Sequence, residues 1–126
     1  MGSDFNKFQG MQKALIVSPD PQTARMLALA LELEGLDADH EATLPESFPA
    51  GIDALLLDIV EGEHEVKEGA KGLSEIEGKR PKTVVILPQG YDRARASKHF
   101  SKADLIVTRP FHLTSLIKQT IDLITE

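Results

Sequence analysis

The stretch Ile52-Asp53-Ala54-Leu55-Leu56-Leu57-Asp58 decides the fold. Its central residues are apolar without alternation, as in a strand covered on both faces, which is the habit of parallel sheets. Asp58 then closes the run. A carboxylate is thereby placed where a buried strand leaves its sheet, the usual position for chemistry in an open α/β fold.

Outward from this run, short β-branched or leucine-rich segments alternate with segments of helical period, the pattern of repeated βα units. Ala14-Leu15-Ile16-Val17 reads as the first strand. Pro21 to Glu34 then reads as a helix, with Ala24, Leu27 and Leu31 on one side, Met26, Ala30 and Leu33 beside them, and Gly35 as its stop. Leu36 to Ala42 alternates as an edge strand with one wet face, Leu36, Ala38 and His40 inward. After Ala54 to Asp58, Glu65 to Glu77 has helical spacing but contains Gly69 and Gly72, each costing about 1 kcal/mol relative to alanine, so a weak or late-starting helix is expected. Thr83 to Leu87 is a fully buried strand, Tyr91 to Phe100 a helix and Asp104 to Thr108 a fifth strand. Leu113, Leu116, Ile117, Thr120, Ile121 and Ile124 line the closing helix. One unit is damaged: Thr43 to Ile52 contains Pro45, Pro49 and Gly51, with room for hardly more than one turn, whereas a crossover usually needs at least about ten residues and a covering helix. The second helix is expected to be short or missing.

At 126 residues the chain fits one domain, assigned to 11–126; Met1 to Gly10 reads as an expression leader ahead of a natural start at Met11. The formal net charge of -6 argues against a nucleic-acid backbone as partner. Without cysteine there is no disulfide framework, thiolate metal site or cysteine nucleophile. Neither a spanning helix of roughly 18 apolar residues nor a secretory signal is indicated, so the expected location is the cytoplasm, away from any membrane. The four histidines, His40, His64, His99 and His112, show no ligand spacing, and no metal site is expected from them. Ser18-Pro19-Asp20-Pro21 is rigid where a nucleotide or flavin protein would have a glycine-rich phosphate loop.

Taken in order and spacing, four segments resemble a response-regulator receiver domain of the CheY-like kind, the module that accepts phosphate from a histidine kinase. They are Ala14 to Pro21, Leu55-Leu56-Leu57-Asp58, Val84-Val85-Ile86-Leu87, and Ala103-Asp104 leading through Thr108-Arg109-Pro110-Phe111. The resemblance covers Gln12 to Glu126. It implies a flavodoxin-like, doubly wound α/β fold with a five-stranded parallel sheet in the order 2-1-3-4-5, a cis Arg109-Pro110 bond, and Asp58 at the phosphoacceptor position.

The other site positions depart from the family's pattern. Ser18 and Pro19 stand where the family has the acidic pair that holds Mg²⁺, and neither supplies the negative charge that offsets dehydration of that ion. Asp20 follows, one step along the loop and pointing elsewhere. Pro88 replaces the hydroxyl residue after the fourth strand, Arg109 the lysine, and Ile106 the aromatic switch residue; Glu61-Gly62 replaces a methionine-proline pair. Arginine keeps the charge but brings a larger planar fork. The preferred reading of Asp58 is therefore a vestigial phosphoacceptor that ends its strand and pairs with Arg109. The acidic loop Glu61, Glu63, Glu65 and Glu68 with His64 reads as solvated charge that would repel a phosphate donor.

The expectation is a degenerate receiver, a pseudo-receiver: not an enzyme, without cofactor, and a protein-protein interaction module in two-component-type bacterial signal transduction, independent of phosphorylation. Its partner is expected to be a protein of that pathway or a second copy of the chain. Two surfaces are candidates for that contact, the basic residues Arg93, Arg95, Lys98 and Lys102, and an apolar patch at Leu44, Phe48 and Ile52 left by the missing helix. The alternatives are a genuine phosphoacceptor using Asp58, Asp20 and Mg²⁺, and, more distantly, a flavodoxin-like protein that binds a small ligand.

Overall fold

Five short strands, β1 (Lys13–Val17), β2 (Asp37–Glu41), β3 (Ala54–Asp58), β4 (Lys82–Leu87) and β5 (Leu105–Thr108), pair in parallel in the order β2-β1-β3-β4-β5. Four helices join them: α1 (Pro21–Leu33), α2 (Glu63–Glu75), α3 (Arg93–His99) and α4 (Leu113–Thr125). This is a computed structural model, and it describes residues 12–125; the leader expected at Met1 to Gly10 lies outside them.

Side chains of a strand point alternately to opposite faces, so the unbroken apolar runs of β1, β3 and β4 build two cores. Ala14, Ile16, Leu56, Val84 and Ile86 meet Ala24, Leu27 and Leu31 of α1 and Leu116 and Ile117 of α4. Leu15, Val17, Leu55, Leu57, Val85 and Leu87 meet Val66 and Leu73 of α2 and Ala96 and Phe100 of the α3 region. Every residue of β3 is buried, and each of its leucines contributes on the order of 1.5–3 kcal/mol relative to an exposed one. The edge strand β2 is wetter, with Ala38 buried and His40, expected inward, exposed at the strand's far end.

No helix lies between β2 and β3 among the described residues, as the prolines of that segment require. The loop instead lies over the α2 side of the sheet. Leu44, Phe48 and Ile52 are half buried against that core, and a parallel bridge joins Ser47 to Glu77. The loop thus covers part of the face that a helix would cover.

Helix α2 begins earlier than expected, at Glu63, and runs for 13 residues. Its start is fixed by Glu65, whose carboxylate accepts the N–H groups of Val60 at 3.2 Å and Glu61 at 3.1 Å, and by acidic first-turn residues that favour the positive end of the helix dipole. The glycines that argued for weakness have a packing role. A Cβ on Gly69 would lie 2.9 Å from Ile59 Cδ1, and one on Gly72 would lie 3.1 Å from Leu44 Cδ1, so their absence lets the helix sit close to β3 and admits the loop. Helix α3 is shorter than the expected Tyr91 to Phe100, because Asp92 serves as its N-cap, accepting the Ala94 N–H at 2.9 Å.

The broad apolar face of α1 is only half used. Ala24, Leu27, Ala28 and Leu31 are buried, but Met26, Leu29 and Leu33 are exposed, Leu33 at 85%.

Candidate functional site

The strand order reverses at β1, so β1 and β3 run side by side while their connections leave in opposite directions, the switch point where open α/β sheets place their sites. Register sets what meets there. Val17 pairs with Leu57, and the next residues, Ser18 and Asp58, therefore face each other at the C-terminal edge. Both are buried.

Ser18 Oγ donates to Asp58 Oδ2 at 2.8 Å. The same hydroxyl lies 3.3 Å from the Asp20 carbonyl, but with one proton to give it favours the shorter, charged acceptor, while its lone pair accepts the Asp20 N–H at 3.1 Å. The second Asp58 oxygen, Oδ1, receives Arg109 Nη2 at 2.5 Å. Arg109 leaves β5 through a backbone bond from its N–H to the Leu87 carbonyl, and its guanidinium also donates Nη1 to the Ile59 carbonyl at 3.3 Å and lies 5.9 Å from the Phe111 ring centroid. The Arg109-Pro110 bond is cis. The Asp58 side chain is wholly buried and Arg109 a quarter exposed, so the pair is a partly desolvated ion pair with both carboxylate oxygens satisfied from within the chain.

Asp20 is engaged elsewhere. Its carboxylate caps α1, accepting Thr23 Oγ1 at 2.6 Å and the Gln22 N–H at 3.2 Å, bonds that hold its pKa below the ordinary 3.8. Pro88 is half buried and its carbonyl accepts the Tyr91 N–H; Ile106 is half buried in the α2-side core. The donor set at this edge therefore does not suit Mg²⁺: the one inward carboxylate is consumed by Ser18 and Arg109, Pro19 carries no donor atom in its side chain, and Asp20 is turned into its cap.

Above this edge, Glu63 ties α2 to α3. Its Oε2 accepts the Tyr91 hydroxyl at 3.0 Å, its Oε1 pairs with Arg95 at 2.7 Å, and His99 Nε2 lies 3.7 Å away. Burial and the bond to Glu63 push the Tyr91 pKa above 10.0. The acidic segment expected as a solvated loop is thus partly structural: Glu63, His64, Glu65 and Glu68 lie on α2, and two of them hold neighbouring elements. The basic residues divide as well. Arg93, Arg95 and Lys98 lie exposed on α3, whereas Lys102 lies beyond it, beside the opposite edge of the sheet.

Two features of the site have little signature in the sequence. Ser18, which departs from the family's metal ligand, is the hydroxyl that satisfies Asp58; a small polar residue at a strand end, opposite an aspartate that closes a buried strand, is the available signal. The Thr108 hydroxyl is buried with no hydrogen-bond partner among the described residues, a feature that no sequence pattern marks.

No family model matches the chain, and no curated protein matches its sequence. Solved structures do match its fold. A response-regulator signal receiver domain from Bermanella marisrubri superposes with a TM-score of 0.69 at 20% identity, covering 90% of this chain and 98% of that one. A response regulator receiver protein from Burkholderia phymatum gives 0.67 at 16%, covering 90% and 95%. A CheY-like receiver domain from Methylobacillus flagellatus gives 0.65 at 21%, covering 90% and 99%. At such identities the likeness is one of fold: a flavodoxin-like receiver fold with its five parallel strands in the order β2-β1-β3-β4-β5 and four helices.

Proposed function

We propose that this chain is a pseudo-receiver, a receiver-fold module that works in two-component-type signalling by binding a protein partner and without a phosphoryl group on Asp58. One observation carries the reading: both Asp58 oxygens are held by side chains of the same chain, Ser18 at 2.8 Å and Arg109 at 2.5 Å. Forming an acyl phosphate on either oxygen would remove one of these bonds from a buried site. The incoming donor would also meet Pro88 where a hydroxyl would be useful and no pair of carboxylates to hold a metal, and phosphoryl transfer depends almost wholly on such positioning and charge stabilisation.

The fixed pair replaces a switchable site with a structural one. A module of this kind presents one surface at all times, and its regulation lies in the supply of its partner. The exposed cations of α3, one of them braced by Glu63, suit an acidic protein surface.

The test is incubation with acetyl phosphate and Mg²⁺ followed by intact mass. Unchanged mass is the expected result. A stable gain of one phosphoryl group that disappears in Asp58→Asn would overturn the proposal and establish the phosphoacceptor alternative.

A further inference from the structure

We propose that the cleft at the N-terminal edge of the sheet, the end opposite Asp58, binds a phosphate-bearing small molecule. This cleft has a volume of about 600 Å³, within the usual range for small-molecule sites, and lies between the loop that replaces the missing helix, the approach to β4 and the end of α4. Lys79, Arg80, Lys82 and Lys102 line it. The chain as a whole is acidic, yet this one cleft holds four of its 14 lysines and arginines against two of its 20 aspartates and glutamates.

The two carboxylates are already committed to the backbone. Asp53 Oδ2 accepts the Lys13 N–H at 2.9 Å, and Asp104 Oδ2 accepts the Thr83 N–H at 2.8 Å, so each serves to fix a strand start. None of the four cations forms an ion pair with a described residue, and Arg80 is half buried in this unpaired state. Concentrated, unpaired positive charge in a concave site attracts a multiply charged anion, and a guanidinium beside ammonium groups matches phosphate oxygens.

The walls are preformed. The Ser47 to Glu77 bridge joins the loop to the chain approaching β4, while Phe48, Ile52 and Ile124 contribute half-buried apolar surface for the body of a ligand. The site is separate from Asp58, and its occupancy does not depend on the pseudo-receiver reading.

The test is a titration of the ¹⁵N-labelled full chain with pyrophosphate and with ATP, in EDTA at constant ionic strength, followed by amide shifts. Saturable shifts confined to residues 48–53, 79–83, 102–104 and 123–124 are expected with both probes, weakened about tenfold in Lys82→Glu and in Lys102→Glu, both exposed positions, with the melting temperature unchanged. Shifts centred on Ser18, Asp58 and Arg109, non-saturating shifts spread over the surface, or affinity unchanged in both variants would each overturn it. Tighter binding of a polyglutamate peptide than of pyrophosphate would likewise overturn it, by assigning the cleft to an acidic protein segment.

Discussion

Ser18 Oγ donates its single proton to Asp58 Oδ2 across 40 residues of sequence, and in the same geometry accepts the Asp20 N–H. One hydroxyl thus links the end of β3 to the turn that starts α1. Ser18→Ala would leave a buried carboxylate oxygen and a backbone donor without partners, a loss of about 1–3 kcal/mol. Urea denaturation should show a lower midpoint with an unchanged slope, whereas Ser18→Thr should recover much of the loss.

Arg109 supplies the charge that the buried Asp58 requires. Removing one partner of a fully buried pair costs about 3–5 kcal/mol; Arg109 is a quarter exposed, so about 2–3 kcal/mol is expected for Arg109→Met. Asp58→Asn removes the charge and should cost less, since the amide oxygen can still accept from Ser18. In the double variant the uncompensated charge is absent, so its cost should be smaller than the sum of the single costs. Additive costs in that cycle would show that the pair contributes nothing specific.

Most of the architecture was legible because burial on both faces leaves a strong pattern. Leu55-Leu56-Leu57 and Val84-Val85-Ile86-Leu87 have no polar alternation, and Pro45, Pro49 and Gly51 leave room for a short second helix or none. The pairing of Asp58 with Arg109 was legible too, because the resemblance places both at one edge of the sheet. Ser18's bond was not, since a serine at a strand end is equally suited to water. The early start of α2 was hidden because Glu65 acts backward on Val60 and Glu61, while propensity counted only the cost of Gly69 and Gly72. The exposure of Leu29 and Leu33 was also hidden, for periodicity reports an apolar stripe but not the width of the surface that meets it.

Gly69 separates propensity from packing. Alanine there would gain about 1 kcal/mol of helix propensity, but its Cβ would stand 2.9 Å from Ile59 Cδ1, with Leu57 and Phe100 also close, and overpacking a core costs about 1–3 kcal/mol. Gly69→Ala should therefore lower stability by about 1 kcal/mol. Combining it with Ile59→Val, which removes the obstructing methyl, should cost less than the two changes separately.

Thr108 ends β5 with a buried hydroxyl that has no partner among the described residues. Valine has nearly the same shape and no such group to desolvate. Thr108→Val is expected to stabilise the protein by about 1 kcal/mol, read as a higher thermal midpoint. A lower midpoint would mean that the hydroxyl has a partner, such as a bound water.

Asp20 makes one contribution to stability that depends on pH. Its carboxyl is held below its ordinary pKa of 3.8, chiefly by the Thr23 hydroxyl and then by the Gln22 N–H. As pH falls through 3.8 the unfolded chain takes up the proton before the folded one does, so the unfolded state gains and stability drops. The contribution is complete above 3.8 and is lost as pH falls through the folded value. Asparagine can cap the same helix but does not titrate in this range. Thermal midpoints of the protein and of Asp20→Asn should therefore differ little near neutrality, with the parent falling more steeply below pH 3.8. Parallel curves through the acid range would show that the cap does not depend on the charge of the carboxylate, and that its hydrogen bonds alone hold the start of α1.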